Sequence, residues 1–189
     1  VWERGGGGSM SGGVKGCAVA VLEGEVCGAG GYDGKAKLST VERLVAEEER
    51  WEVLPARLMT GRYDCAAAVL EGALYVLGGC RNDDQTLSSV ERYDVERSRW
   101  ELVAPMRQAR RALAAAVLDG RLYALGGSSG GSTRALLKTV ERYDAERNVW
   151  EAVADMSVER YGCAAVVFEG KLFVMGGGNT QGQPLSSVE

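Results

Sequence analysis

Two adjacent glycines close a short apolar segment at Gly30-Gly31, Gly78-Gly79, Gly126-Gly127 and Gly176-Gly177. A tryptophan follows the first three pairs at a matched distance, at Trp51, Trp100 and Trp150, and Trp2 stands where a unit cut off at the front would end. The period is about 50 residues, and a fixed period in that range marks a repeat architecture whose units do not fold singly. That feature constrains the fold tightly and the function loosely. It points to a binding platform without naming the ligand.

Within each unit the residues read as four strands. The first is a run of small apolar residues: Cys17 to Leu22, Cys65 to Leu70, Ala112 to Leu118 and Cys163 to Phe168. Such a run shows no alternation, which predicts burial of both faces, and its alanines suit an innermost strand where sheets converge. An acidic residue and a glycine follow, at Glu23-Gly24, Glu71-Gly72, Asp119-Gly120 and Glu169-Gly170. Between apolar runs this pair predicts a two-residue hairpin, because the tight turn needs positive φ and glycine adopts it freely. The second strand, Leu74 to Leu77 with its counterparts Leu122 to Leu125 and Leu172 to Met175, ends at the double glycine. A phosphate loop would need a different glycine spacing leading into a helix, and no helical periodicity follows here.

The third strand is Val90-Glu91-Arg92-Tyr93-Asp94, matched by Val140 to Asp144 and by Val41-Glu42-Arg43, where Leu44-Val45 replaces Tyr-Asp. The fourth starts at the tryptophan, and each indole is expected to pack between adjacent sheets, burying a large flat area. Successive strand residues point to opposite faces, so Glu91-Arg92 and Glu141-Arg142 cannot converge on one ligand; charge pairing between sheets is expected instead. Residues 5–9, Gly-Gly-Gly-Gly-Ser, look like a synthetic linker, but the stretch from Trp2 to Val14 nearly matches that from Trp51 to Arg62. It is therefore read as a mobile inter-unit loop of the repeat.

Composition removes several classes of function. With a formal net charge of −4 and no clustered Lys/Arg stripe, the chain lacks a nucleic-acid footprint. No apolar run approaches the ~18 residues of a membrane span. Histidine is absent altogether, which eliminates Ser-His and Cys-His nucleophiles, His bases and His metal ligands. Five cysteines occur without a CxxC pair, an odd number that fits a reducing compartment such as the cytoplasm or nucleus. Cys17, Cys65 and Cys163 share one repeat position with Leu113, so they are expected to be buried hydrophobes. Residue 1 is Val, which suggests a natural start further upstream.

The order of small-apolar strand, acidic-Gly turn, strand ending in Gly-Gly, Val-Glu-Arg-Tyr-Asp and Trp closely resembles the kelch repeat across essentially the whole chain. Ser88-Ser89-Val90-Glu91-Arg92-Tyr93-Asp94 and Val103-Ala104-Pro105-Met106 look specifically like the kelch domains of BTB-kelch proteins. The resemblance implies an all-β, kelch-type β-propeller of about four blades, each of four antiparallel strands. On this reading 1–189 is a single domain. Residues 1–13 carry an end strand and Gly-rich loop, 14–61, 62–109 and 110–159 are blades, and 160–189 is an incomplete fourth. Residues 1–3 could complete the sheet that ends at Glu189, giving a small ring. Most kelch propellers have more blades, and since both ends break inside a unit, part of a larger propeller is the favoured expectation.

In that family an upstream BTB region binds cullin-3 and the propeller presents a substrate for ubiquitination; no BTB segment lies in these residues. Family ligands often sit at one mouth of the central channel, on two loop sets. One follows the double glycine (Tyr32-Asp33, Cys80-Arg81-Asn82, Ser128-Ser129, Gly178-Asn179) and the other precedes the innermost strand (Lys15-Gly16, Tyr63-Asp64, Arg111-Ala112, Tyr161-Gly162). These positions vary while the frame repeats, and Tyr and Arg are enriched at binding hot spots. Tyr32, Asp33, Tyr63, Asp64, Arg81, Asn82, Arg111, Tyr161 and Asn179 are thus the expected contacts for a protein partner or substrate peptide. Arg62, Arg110 and Arg160 repeat too regularly for that and are expected to serve the scaffold.

Enzymatic and cytoskeletal roles are the alternatives. Some kelch propellers are copper oxidases, whose His ligands this chain lacks. A sugar-processing site of carboxylates is conceivable from Asp33, Asp64, Asp83 and Asp84, but nothing sets two of them at a catalytic separation. Several kelch proteins bind actin, and the sequence does not separate that role from adaptor work. The sequence points to no catalytic residue, metal or cofactor.

Overall fold

A computed structural model describes residues 8–82, 85–130 and 135–189. Three complete antiparallel sheets lie in chain order. The first comprises β1 (Ala18–Leu22), β2 (Glu25–Ala29), β3 (Val41–Val45) and β4 (Arg50–Val53). The second comprises β5 (Ala66–Leu70), β6 (Ala73–Leu77), β9 (Val90–Asp94) and β10 (Arg99–Val103), with a small hairpin of β7 (Cys80–Asn82) and β8 (Gln85–Thr86) emerging beside it. The third comprises β11 (Ala114–Leu118), β12 (Arg121–Leu125), β13 (Val140–Asp144) and β14 (Val149–Ala152). A fourth begins with β15 (Ala164–Phe168) and β16 (Lys171–Met175), joined by a single bridge to Val188. Each chain path runs from the innermost strand outward, and the innermost strands β1, β5, β11 and β15 pack side by side. Among the described residues the sheets do not close into a ring.

Local sequence accounts for the strand-to-strand turns. At the first hairpin both turn residues take positive φ, 52° at Glu23 and 84° at Gly24, the backbone of a type I′ turn. The pairing Leu22↔Glu25 that results fixes the register of the whole hairpin. After β9 and β13, Asp94 and Asp144 each cap the next turn, accepting the N–H of Arg97 and of Arg147 at 3.0 Å. The first sheet has Val45 at that position, with no side-chain acceptor, and the chain there makes a short 3-10 turn over Ala46–Glu48.

The double glycine lets one sheet meet the next. A Cβ on Gly78 would lie 2.3 Å from the Arg110 carbonyl oxygen, and φ there is +58°, so only glycine fits. The following Gly79 N–H donates to that same carbonyl at 2.8 Å. The corresponding bonds run from Gly31 to Arg62 at 2.7 Å and from Gly127 to Arg160 at 2.8 Å.

Indoles fill the space between sheets where a preceding sheet exists. Trp100 joins the core shared by the first and second sheets, and Trp150 that shared by the second and third. Each ring lies beside a tyrosine of its own sheet, at 5.2 Å from Tyr93 and 5.1 Å from Tyr143. The Trp150 indole N–H donates to Ala104 O at 2.9 Å. Trp51 pairs with Leu44 and is half-buried. One sheet further on, the counterpart of the Trp150 slot is a cavity of about 310 Å³ lined by Tyr123, Val153, Ala154 and Leu172.

Three expectations need correction. Burial on both faces of the innermost strand is an interior property: β1 exposes Val19 and Val21, and β15 exposes Val166 and Phe168, because among the described residues no sheet stands against them on that side. For the same reason Cys65 is buried while Cys17 and Cys163, near the two ends, are partly exposed. The Glu-Arg dipeptides do not pair as one unit. Their arginines bind a glutamate of their own sheet, Arg92 to Glu101 at 2.7 Å and Arg142 to Glu151 at 2.9 Å. Only the glutamates reach the segments that connect sheets. Residues 1–7, with Trp2 and most of the glycine run, lie outside the described residues, as do Asp83 and Asp84.

Candidate partner-binding face

Each unit brings its two variable loops together by the same reciprocal pair of backbone hydrogen bonds. Lys15 pairs with Tyr32, Tyr63 with Cys80, Arg111 with Ser128 and Tyr161 with Gly178, at N···O distances from 2.8 to 3.2 Å. The residue after each first partner links units in a row. Asp64 N–H donates to Gly16 O at 2.7 Å, Ala112 N–H to Asp64 O at 2.7 Å and Gly162 N–H to Ala112 O at 2.8 Å. All four of these residues have positive φ, which glycine accepts but which costs Ala112 and Asp64 about 1–2 kcal/mol each. Backbone strain of this kind is held in place by the surrounding structure, here by the inter-unit row. The result is a uniform rim carrying non-uniform side chains.

Beneath the rim lie the buried scaffold arginines. Arg62 is fully buried and donates to Gly78 O at 2.9 Å, Ser89 O at 3.1 Å and the Glu91 carboxylate at 2.5 Å. Arg110 repeats this with Gly126 O at 2.9 Å, Thr139 O at 2.8 Å and Glu141 at 3.0 Å, and Arg160 with Gly176 O and Glu189. The glutamates also hold the crossing chain, since Glu91 accepts Met59 N–H at 2.6 Å and Thr60 N–H at 3.1 Å. Paired and hydrogen-bonded, these buried charges meet the condition under which burial is tolerated. They are occupied and do not face a ligand.

The proposed contact residues separate into groups. Asp64, Arg111, Tyr161 and Asn179 line one concavity of about 590 Å³, together with Ser128 and Leu136. Burial pushes the Asp64 carboxyl above its ordinary range, opposed by the charges of Arg111 and Lys15. Arg111 also reaches the sulfur of buried Cys80 at 3.9 Å. Tyr32 and Tyr63 form a second cluster, their ring centroids 5.9 Å apart. Lys37 sits 4.5 Å from the Tyr32 centroid and 5.3 Å from that of Tyr63, with Lys15 5.3 Å from Tyr32, in cation–π range. Arg81 and Asn82 are exposed on the β7–β8 hairpin.

Three of the polar residues hold their own loops. Asp33 accepts the N–H groups of Lys35 and Ala36, both at 2.7 Å, which holds its carboxyl below the usual range. Asn82 accepts Gln85 N–H at 2.8 Å, and Asn179 accepts Gln181 and Gln183 N–H at 3.0 and 2.9 Å. Sequence reasoning overlooked Lys37 and Leu136. Both lie well beyond the double glycine, and each returns to the rim through a bridge, to Tyr32 and to Ser128. No local motif signals that return.

Radially packed four-stranded antiparallel sheets, with paired loops gathered on one rim, define a propeller-type domain with a side-chain-variable face. Residues 14–188 match the KLHDC2/KLHL20/DRC7 Kelch-repeats domain, and the chain belongs to the kelch-repeat family. No curated protein matches it. Kelch-repeat domains are generally protein–protein interaction modules and typically non-enzymatic.

Proposed function

We propose that this chain recognises a protein partner at the rim, taking an extended segment of it across the Tyr32–Tyr63 cluster and into the concavity lined by Asp64, Arg111, Tyr161 and Asn179. The observation that carries this reading is the repeated reciprocal pairing of the two loop sets, which offers different side chains on one rigid backbone frame. Rigid display lowers the entropy lost on binding, and tyrosine and arginine are the residue types that most often dominate interface energy. Polar groups of both signs line the concavity, which suits a peptide backbone with mixed side chains. The finer reading is supported by the resemblance of Ser88-Ser89-Val90-Glu91-Arg92-Tyr93-Asp94 to BTB-kelch domains: the substrate-recognition part of a cullin-3 ubiquitin ligase adaptor of the cytoplasm or nucleus, with cullin-3 bound by a BTB region. Actin binding is the competing role.

Affinity purification with quantitative recovery of partners tests the face. The double variant Arg111→Glu/Tyr63→Ala should lose the captured partner while staying folded by far-UV circular dichroism, because both side chains are partly exposed and the bridge uses only backbone atoms. Undiminished partner recovery in that variant would rule out the rim. Recovery of cullin-3 with the natural protein supports the adaptor role, and cosedimentation with filamentous actin supports the cytoskeletal one.

A further inference from the structure

At the rim each unit forms a short three-stranded ladder. In the first unit Lys15 pairs with Tyr32 and Tyr32 with Lys37, so the tyrosine stands between two lysines. Residues directly paired across antiparallel strands send their side chains to the same face. Both ammonium groups accordingly lie against the Tyr32 ring, Lys15 Nζ 5.3 Å and Lys37 Nζ 4.5 Å from its centroid, and Lys37 is 5.3 Å from the Tyr63 centroid as well. Cation–π contact at this range orders two long side chains on a shared aromatic platform. The Tyr32 hydroxyl donates to Gly34 O at 2.7 Å, which holds the ring.

The ladder itself does not require this chemistry. The other three units centre it on Cys80, Ser128 and Gly178, and among the residues paired with those three only Arg111 is charged. Asp33, the carboxylate of the same loop, is committed to the N–H groups of Lys35 and Ala36. The chain as a whole carries a formal charge of −4, so its net charge repels an acidic ligand and only a local array can attract one. The strands of Lys15 and Lys37 stand two ladder spacings apart, about 9–10 Å, and an extended chain repeats same-facing side chains every ~6.6 Å. Flexible lysine and glutamate stems cover the difference, whereas a single anion would serve one ammonium at a time.

We propose that the partner segment taken at the rim carries carboxylate side chains at alternate positions, one paired with Lys15 and the next but one with Lys37, its main chain crossing the Tyr32 ring. This rests on the rim reading and names the chemistry of the occupant.

Fluorescence anisotropy of the full chain with labelled peptides of equal length tests it. One peptide alternates glutamate and serine; a second has the same composition as Glu-Glu-Ser-Ser repeats, in which no two glutamates stand two apart; a third is serine-rich with one phosphoserine. The alternating peptide should bind most tightly, and added salt should weaken it. Lys15→Gln and Lys37→Gln should each weaken it about two- to five-fold, the scale of one exposed ion pair. Lys171→Gln, at the hairpin end of β16 away from the rim, should leave it unchanged. Equal affinity for the two glutamate peptides, tighter binding of the phosphoserine peptide, or an equal loss in Lys171→Gln would each overturn the proposal, as would no binding of the alternating peptide. If Arg111→Glu/Tyr63→Ala still loses the captured partner in that event, the acidic occupant fails and the rim reading stands; undiminished capture in that variant removes the rim reading itself.

Discussion

Replacing Glu91 by alanine isolates what holds one sheet to the next. Its carboxylate and the Arg62 guanidinium are both fully inaccessible to solvent. The oxygens accept three donors, from Met59 N–H at 2.6 Å, Thr60 N–H at 3.1 Å and Arg62 Nη2 at 2.5 Å. Breaking a buried pair from one side costs about 3–5 kcal/mol, because the surviving charge has no counterion. Each stranded amide adds a desolvation penalty of about 1–3 kcal/mol, which places the loss at the upper end of the pair's range. At about 2–4 °C per kcal/mol for a domain of this size, Glu91→Ala should lower the melting temperature by roughly 8–20 °C. The double variant Arg62→Met/Glu91→Leu separates two explanations. A simple buried ion pair can be replaced by apolar side chains without loss. Here the Met59 and Thr60 amides, and the Gly78 and Ser89 carbonyls that Arg62 serves, would still lose a partner. The double variant should therefore stay at least about 2 kcal/mol less stable than the parent. Reversible urea unfolding followed by tryptophan fluorescence measures both, with the half-exposed Arg92–Glu101 pair as a control worth about 0–1 kcal/mol. A double variant with the parent's midpoint would refute the idea that this glutamate clamps the crossing backbone.

Trp100→Ala should cost about 3–5 kcal/mol by emptying the space between the first two sheets, whereas Trp51→Ala should cost visibly less, since that ring is half-buried; equal losses in urea titrations would contradict the inter-sheet role. Asp64 supplies a pH test. Its folded-state carboxyl is raised above its ordinary 3.8, first by burial, so its contribution favours folding at pH below that value and is lost as pH rises through the raised one. Asn tolerates the left-handed backbone at this position, so Asp64→Asn should flatten this part of the stability–pH profile and raise neutral-pH stability; an unchanged profile would refute the assignment. Loss of partner capture in Arg111→Glu/Tyr63→Ala completes the set.

The strand order, the two-residue hairpins, the double glycines that end the second strand and the Trp-bearing outer strands were legible in the chain because each arises from a few adjacent residues, repeated often enough to stand out. Positive φ at Gly24 or Gly78 is a property of the local backbone. Partnership is different. Glu91 meets Arg62 across 29 residues, and nothing in Val-Glu-Arg-Tyr-Asp says which of its two charges turns inward to a crossing chain and which binds Glu101. Likewise Cys17 and Cys65 occupy one repeat position yet differ in burial, since burial depends on the sheet that stands next door.

The recognition face shows the same division. Its loops were identifiable as variable segments on a constant frame, but Lys37 and Leu136 enter it only through bridges formed after the loops fold back. Asp33, Asn82 and Asn179 resemble binding residues in sequence, while in three dimensions each commits an oxygen to its own loop. What the sequence determined by itself was the unit and its succession, through short-range backbone preference. What only the tertiary structure decided was which surfaces are covered and which side chains are already engaged, because solvent exclusion and hydrogen-bond pairing are summed over segments far apart in the chain.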